Sequence, residues 1–148
     1  MLDVACEVVV DRRRQRQIGG SCEQEDIGLT LLKTPLTEAL GCRTPVIQTA
    51  MGWIAKPALV AATSNAGAFG FLAAAVMSPK EAAEEIARLR DMTPHAFGVN
   101  FHSFQPGAAE IVEIILANKD RIRAVSFGRG PDAKRIGRFK DAGILCIP

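Results

Sequence analysis

Metal-binding and membrane-spanning patterns are both missing from this sequence. Its four cysteines, Cys6, Cys22, Cys42 and Cys146, form no Cys-x-x-Cys pair, and neither histidine stands at zinc-ligand spacing from one of them. Structural zinc modules need such spacing and are excluded; the thiols read as those of a reduced, cytoplasmic protein. No apolar stretch approaches the roughly 20 residues of a membrane span, because Lys56, Pro57, Asn65, Gly67 and Gly70 interrupt the most hydrophobic region. An apolar N-terminal segment ahead of a cleavage-like site is lacking too, so no signal peptide is expected. The one dense basic run, Arg12-Arg13-Arg14-Gln15-Arg16, has no aromatic interleaved to stack on a base, and the net charge is only +2. A nucleic-acid partner is not expected.

What remains is an ordinary globular composition, 48% hydrophobic and 23% charged over 148 residues, for which one domain is the default. Residues 1–30 show no helix or strand period and read as a flexible extension, leaving 31–148 as the folded domain. Thr34 is placed to cap a short helix with Pro35 at its first position and Gly41 at a left-handed end. From Pro45 onward a unit repeats, consisting of a short apolar run, a turn and an amphipathic helix. The runs are 46–50, 69–73, 97–101, 124–127 and 144–147, whose starts lie 23, 28, 27 and 20 residues apart. That spacing leaves room for a helix in each link, as in the βα repeat of a parallel sheet, and strands apolar throughout suit burial on both faces. Helix ends agree. Ser78-Pro79-Lys80-Glu81 is a capping box, Asn65-Ala66-Gly67 and Ala142-Gly143 are stops, and Gly107 precedes a helix carrying Ile111, Ile114 and Ile115. Five strands and four connecting helices are expected.

Four segments in this order resemble the nitronate monooxygenase family: Thr34-Pro35-Leu36-Thr37-Glu38, Pro45-Val46-Ile47-Gln48-Thr49-Ala50-Met51-Gly52, Ser64-Asn65-Ala66-Gly67-Ala68-Phe69-Gly70-Phe71 and Phe97-Gly98-Val99-Asn100. The resemblance implies an α/β fold, the N-terminal part (about five βα units) of an incomplete (β/α)8 TIM barrel. It also implies an FMN cofactor at the C-terminal ends of the strands, a small-molecule substrate and oxidation of alkyl nitronates with dioxygen. Gln48-Thr49-Ala50-Met51-Gly52-Trp53 departs from the commoner Ala-Pro-Met-Ala/Gly-Gly pattern and looks like a subgroup of flavin oxidoreductases linked to steroid-ring breakdown. An enoyl or steroid-ring CoA-thioester substrate is therefore an alternative, as is an inactive fragment. The family's catalytic histidine belongs to a Gly-Gly-His context after the sixth strand, which this sequence does not contain.

The resemblance assigns Ala50, Met51, Gly52 and Asn100 to FMN. The residues themselves leave alternatives. Residues 50–52 also fit a tight turn that needs only a small residue, and Asn100 also fits an Asx turn or helix cap. Ser126, with Gly128 and Gly130 before Pro131, is a weaker pocket candidate, because Asp132 would repel a phosphate at that helix start. His102 reads as a pocket residue or a surface one, His95 lies at the opposite barrel end, and Trp53 reads equally as an aromatic wall or as packing for its loop.

Overall fold

The computed structural model describes residues 33–128 and 132–147; the expected extension over residues 1–30, with the basic run, Cys6 and Cys22, lies outside the described residues. Helix α1 (Pro35–Leu40) is followed by β1 (Ile47–Gln48), α2 (Pro57–Asn65), β2 (Phe69–Ala73), a 3-10 turn (Ala74–Val76), α3 (Pro79–Met92) and β3 (Phe97–His102). Then come α4 (Ala108–Ala117), β4 (Ile122–Gly128), α5 (Ala133–Asp141) and β5 (Leu145–Ile147). All neighbouring strands pair in parallel, in the order β1-β2-β3-β4-β5. Four βα units and a fifth strand wound this way are the N-terminal part of a (β/α)8 barrel.

The helix ends are decided locally. Thr34 caps α1 by accepting from the Thr37 amide, and Gly41 closes that helix at φ 71°. Ser78 and Glu81 form the reciprocal capping box of α3, so two orphan amides at its start are satisfied by side chains. Gly67, Gly107 and Gly143 all have positive φ where the chain enters or leaves a helix. Four strands differ from expectation, the third by running one residue past 101 to His102. The first strand spans only Ile47–Gln48 rather than 46–50, since beyond Gln48 the chain turns away from β2. The fourth is longer, Ile122–Gly128, because a register irregularity beside Phe97 and Gly98 lets it pair along all of β3. Ile144 is absent from the last strand, as its amide instead closes α5 on the Phe139 carbonyl at 2.9 Å.

The sheet has two apolar faces. Leu72, Phe97, Val99, Phe101, Val125 and Phe127 point outward into a core shared with Val60, Ile86, Leu89, Ile111 and Ile115 of the helices. On the concave side Phe69, Phe71 and Ala124 pack with Leu40 of α1, which seals the N-terminal end of the half barrel. Phe69 and Phe71 meet edge to face, their centroids 5.3 Å apart at 73°. Strand register stacks the concave residues in layers: Phe71, Gly98, Ala124 and Leu145, then Ala73, Asn100, Ser126 and Ile147 toward the C-terminal end. Glycine at 98 is a packing requirement, since a Cβ there would lie 2.3 Å from a ring carbon of Phe71. Across the helices, Arg90 binds both oxygens of Asp120 at 2.8 and 2.9 Å, and Arg138 those of Glu113 at 2.7 and 2.9 Å. These exposed pairs add little stability. Among the described residues no helix is long and apolar enough to cross a membrane.

Gly98→Ala forces an overpacked contact with Phe71 and is expected to lower unfolding free energy by about 1–3 kcal/mol, measured by urea denaturation. Adding Phe71→Leu should recover part of the loss. If the single substitution is silent, the interior layers are not packed as described.

Candidate functional site

In a barrel of parallel strands, loops at the C-terminal ends build the site while the opposite end serves stability. Here the N-terminal end is sealed by α1, and the C-terminal end carries the polar interior residues. Asn100 and Ser126 face each other across β3 and β4. The Asn100 amide donates to the Ser126 hydroxyl at 2.9 Å and to the Ser126 carbonyl at 3.1 Å. It therefore makes neither the Asx turn nor the helix cap that the sequence left open. Both side chains are only half-buried, so the polar rung they form is reachable from the concave side.

Ala50, Met51 and Gly52 lie where the chain leaves β1, at the same end of the strands as this rung and separated from it by β2. Ala50 packs against the Phe69–Phe71 cluster, and the Met51 carbonyl accepts from the amides of Ile54 and Ala55 at 3.1 and 2.8 Å. Among the described residues no hydrogen bond engages the amides of Met51, Gly52 or Trp53. The turn thus has a fixed carbonyl side and unused donors. Gly52 sits against the next loop, where a Cβ would lie 3.3 Å from Val76. Trp53 is 77% exposed and is the one non-glycine among the described residues with positive φ, 61°.

His102 ends β3 rather than following it, opposite Gly128, and its ring stacks on Phe104 at 5.3 Å and 10°. Its Nδ1 is shielded from solvent and lacks a partner among the described residues. His95 lies at the N-terminal end of β3, away from this group. The phosphate-loop alternative loses ground at β4. Asp132 is the N-cap of α5, accepting from the amides of Lys134 and Arg135, and so occupies the donors a phosphate would use; Gly130 and Pro131 lie outside the described residues. Cys42 and Cys146 are free thiols that burial pushes up in pKa, which disfavours a nucleophilic role.

One residue that organises the site escaped the sequence reading. Gln105 accepts from the His102 amide at 2.7 Å and donates to the carbonyls of Ala74 and Met77 at 3.1 and 3.3 Å, tying the loop after β3 to the loop after β2. A glutamine before Pro106-Gly107 carries no local signal of this, because its partners lie about 30 residues away in sequence. Between these loops lies an open cleft of about 550 Å³ lined by Val76, Ser78, Gln105 and Glu110.

The nitronate monooxygenase family model matches residues 33–124. The chain belongs to this family. The family is in general one of flavin-dependent oxidoreductases. A relative from Mycobacterium tuberculosis, named (3aS,4S,5R,7aS)-5-hydroxy-7a-methyl-1-oxo-octahydro-1H-indene-4-carboxyl-CoA dehydrogenase, is 42% identical over 117 residues, which cover 79% of this chain and 32% of the relative. A nitronate monooxygenase from Pseudomonas aeruginosa is 36% identical over 74 residues, 50% of this chain and 21% of the relative. Among solved structures, FabK from Thermotoga maritima superposes with a TM-score of 0.74 at 32% identity, covering 79% of this chain and 37% of its own. Nitroalkane oxidase from Streptomyces ansochromogenes gives 0.66 at 29% identity, covering 76% and 41%. The chain thus spans about a third of the length of the relatives named dehydrogenase and FabK.

Gln105→Ala leaves two carbonyls and one amide to find water, and should cost about 1–3 kcal/mol in thermal or urea unfolding. Hydrogen exchange should rise in residues 74–78 and 102–106 together. A rise in only one loop would contradict the strut.

Proposed function

We propose that the chain supplies the cofactor-facing part of an FMN-dependent oxidoreductase of the nitronate monooxygenase family, with residues 31–148 as its flavin domain and Ala50, Met51, Gly52, Asn100 and Ser126 as cofactor contacts. The observation that carries this reading is that the Met51 and Gly52 amides after β1, unused among the described residues, and the half-buried Asn100–Ser126 rung lie at the same end of the strands, the barrel end where such sites are built. These residues fit a flat ring with polar edges. The turn at Gly52 has no side chain to hold a ring away, the free amides of Met51 and Gly52 can donate, and Asn100 Oδ1 remains available as an acceptor.

Bound FMN would supply transfer of an electron pair, and the protein's part is binding, orientation and exclusion of water. Phe71 and Ala124 form the apolar floor beneath the polar rung. The substrate is a small molecule. Similarity extends farther along the chain, and at higher identity, toward the hydroindene carboxyl-CoA dehydrogenase than toward the nitronate monooxygenase. With the unusual 48–53 turn, this favours an acyl-CoA thioester bearing a reduced ring over a nitronate oxidised with dioxygen. A cytoplasmic location, expected from the thiols, belongs to the same proposal.

The purified chain should quench FMN fluorescence saturably, and Asn100→Ala should weaken FMN binding by about ten-fold, the effect of one lost hydrogen bond in a shielded site. Under anaerobic conditions a bicyclic carboxyl-CoA thioester, and not propane-2-nitronate, should bleach the bound flavin. Absence of FMN binding overturns the whole reading; bleaching by the nitronate alone overturns only the substrate assignment.

A further inference from the structure

Trp53 carries two costs at once in this structure. Its backbone lies at φ 61°, a left-handed conformation that bulky residues rarely adopt and that glycine would take without strain. Its side chain, the largest in the loop, is 77% exposed. No hydrogen bond or ring contact among the described residues offsets either cost. The loop is not loose, however. Met51 accepts from Ile54 and Ala55, the Ile54 carbonyl accepts from the Lys56 amide at 2.7 Å, and fully buried Ala55 accepts from the Ala73 amide at 3.1 Å. Anchored on both sides, the turn holds the indole outward at the C-terminal end of the barrel.

The neighbours define a surface. Met51, Ile54 and Val76 are 39%, 64% and 38% exposed, and Gly52 brings the first loop to within a Cβ contact of Val76. Exposed aliphatic side chains on the same and the adjoining loop as an exposed indole suit an apolar ring system. They do not suit the polar edges of a flavin, for which the unused amides and Asn100 lie closer to the strand ends.

We propose that Trp53 is a specificity-determining contact for the substrate, its indole stacking on the apolar fused ring of the acyl group while Met51, Ile54 and Val76 enclose the ring's edge. The proposal rests on the reading of this end of the barrel as an oxidoreductase site, and it adds which residue selects a ring-bearing substrate from a linear one. Strain at such a position is consistent with a ligand contact, since backbone outliers persist where function holds them.

The chain has a single tryptophan, so its fluorescence reports on Trp53 alone. Titration with 1-indanecarboxylate should shift and saturate that emission, whereas decanoate, with the same number of carbons but no ring, should bind more weakly. By equilibrium dialysis, Trp53→Gly, which relieves the backbone strain and so retains the fold, should weaken indanecarboxylate binding by about three- to ten-fold, and Trp53→Phe by less. FMN affinity should change less than two-fold in both variants. If Trp53→Gly weakens FMN instead, the residue is a flavin wall and the proposal fails. It fails equally if the variants bind the ring acid as wild type does, or if the wild-type chain does not bind it. Binding of the ring acid without FMN binding would leave Trp53's role standing and overturn the flavin reading.

Discussion

The register of β3 between β2 and β4 governs the molecule. Phe71 of β2 lies over Gly98, and this contact is available only if Gly98 faces the concave side. A slip by one residue would exchange every side chain of β3 between the faces. Val99 or Phe97 would then collide with Phe71, and Asn100 would be driven into the apolar layer between sheet and helices without a partner. In the observed register the large ring fills the space beneath the polar rung, and Asn100 meets Ser126 one layer above. Packing at one level of the half barrel therefore sets the chemistry at the next.

The two ends of the strands have opposite tasks. At the N-terminal end Leu40 joins Phe69 and Phe71 in a sealed cluster, Thr34 and Gly41 cap α1, and the Ala39 carbonyl accepts from Arg123 Nε at 2.8 Å. At the C-terminal end, among the described residues, backbone donors remain unused, a histidine nitrogen lacks a partner, and apolar side chains stand exposed on consecutive loops. Such features cost stability, and the Gln105 strut limits that cost by holding two of the loops together. The segment matched by the family, 33–124, contains the first three βα units and reaches into the fourth strand.

Much of the architecture was legible because its signals are short-range. A capping box needs Ser78 and Glu81 three residues apart, a left-handed helix end needs Gly41 or Gly143, and a buried parallel strand needs a short apolar run. Boundaries that depend on a partner strand were not legible. The first strand ends at Gln48 because the chain leaves β2 there, although Thr49 and Ala50 continue the pattern, and Ile144 serves α5 although it continues the last apolar run.

The candidate site divides along the same line. From sequence, the family motifs singled out residues 50–52 and Asn100 at strand ends, and the glycines after the fourth strand made Ser126 a weaker candidate. That Asn100 and Ser126 form one rung, that Gln105 joins two loops and that Trp53 stands exposed in a strained turn are tertiary facts. Each depends on contacts between segments brought together by strand pairing or on the path of a loop anchored to its neighbour. By itself the sequence determined the repeat, the helix ends and the family, because those reside in local spacing. Only the tertiary structure decided which polar groups are satisfied and which face outward, because hydrogen bonding and exposure are properties of neighbours that are distant along the chain.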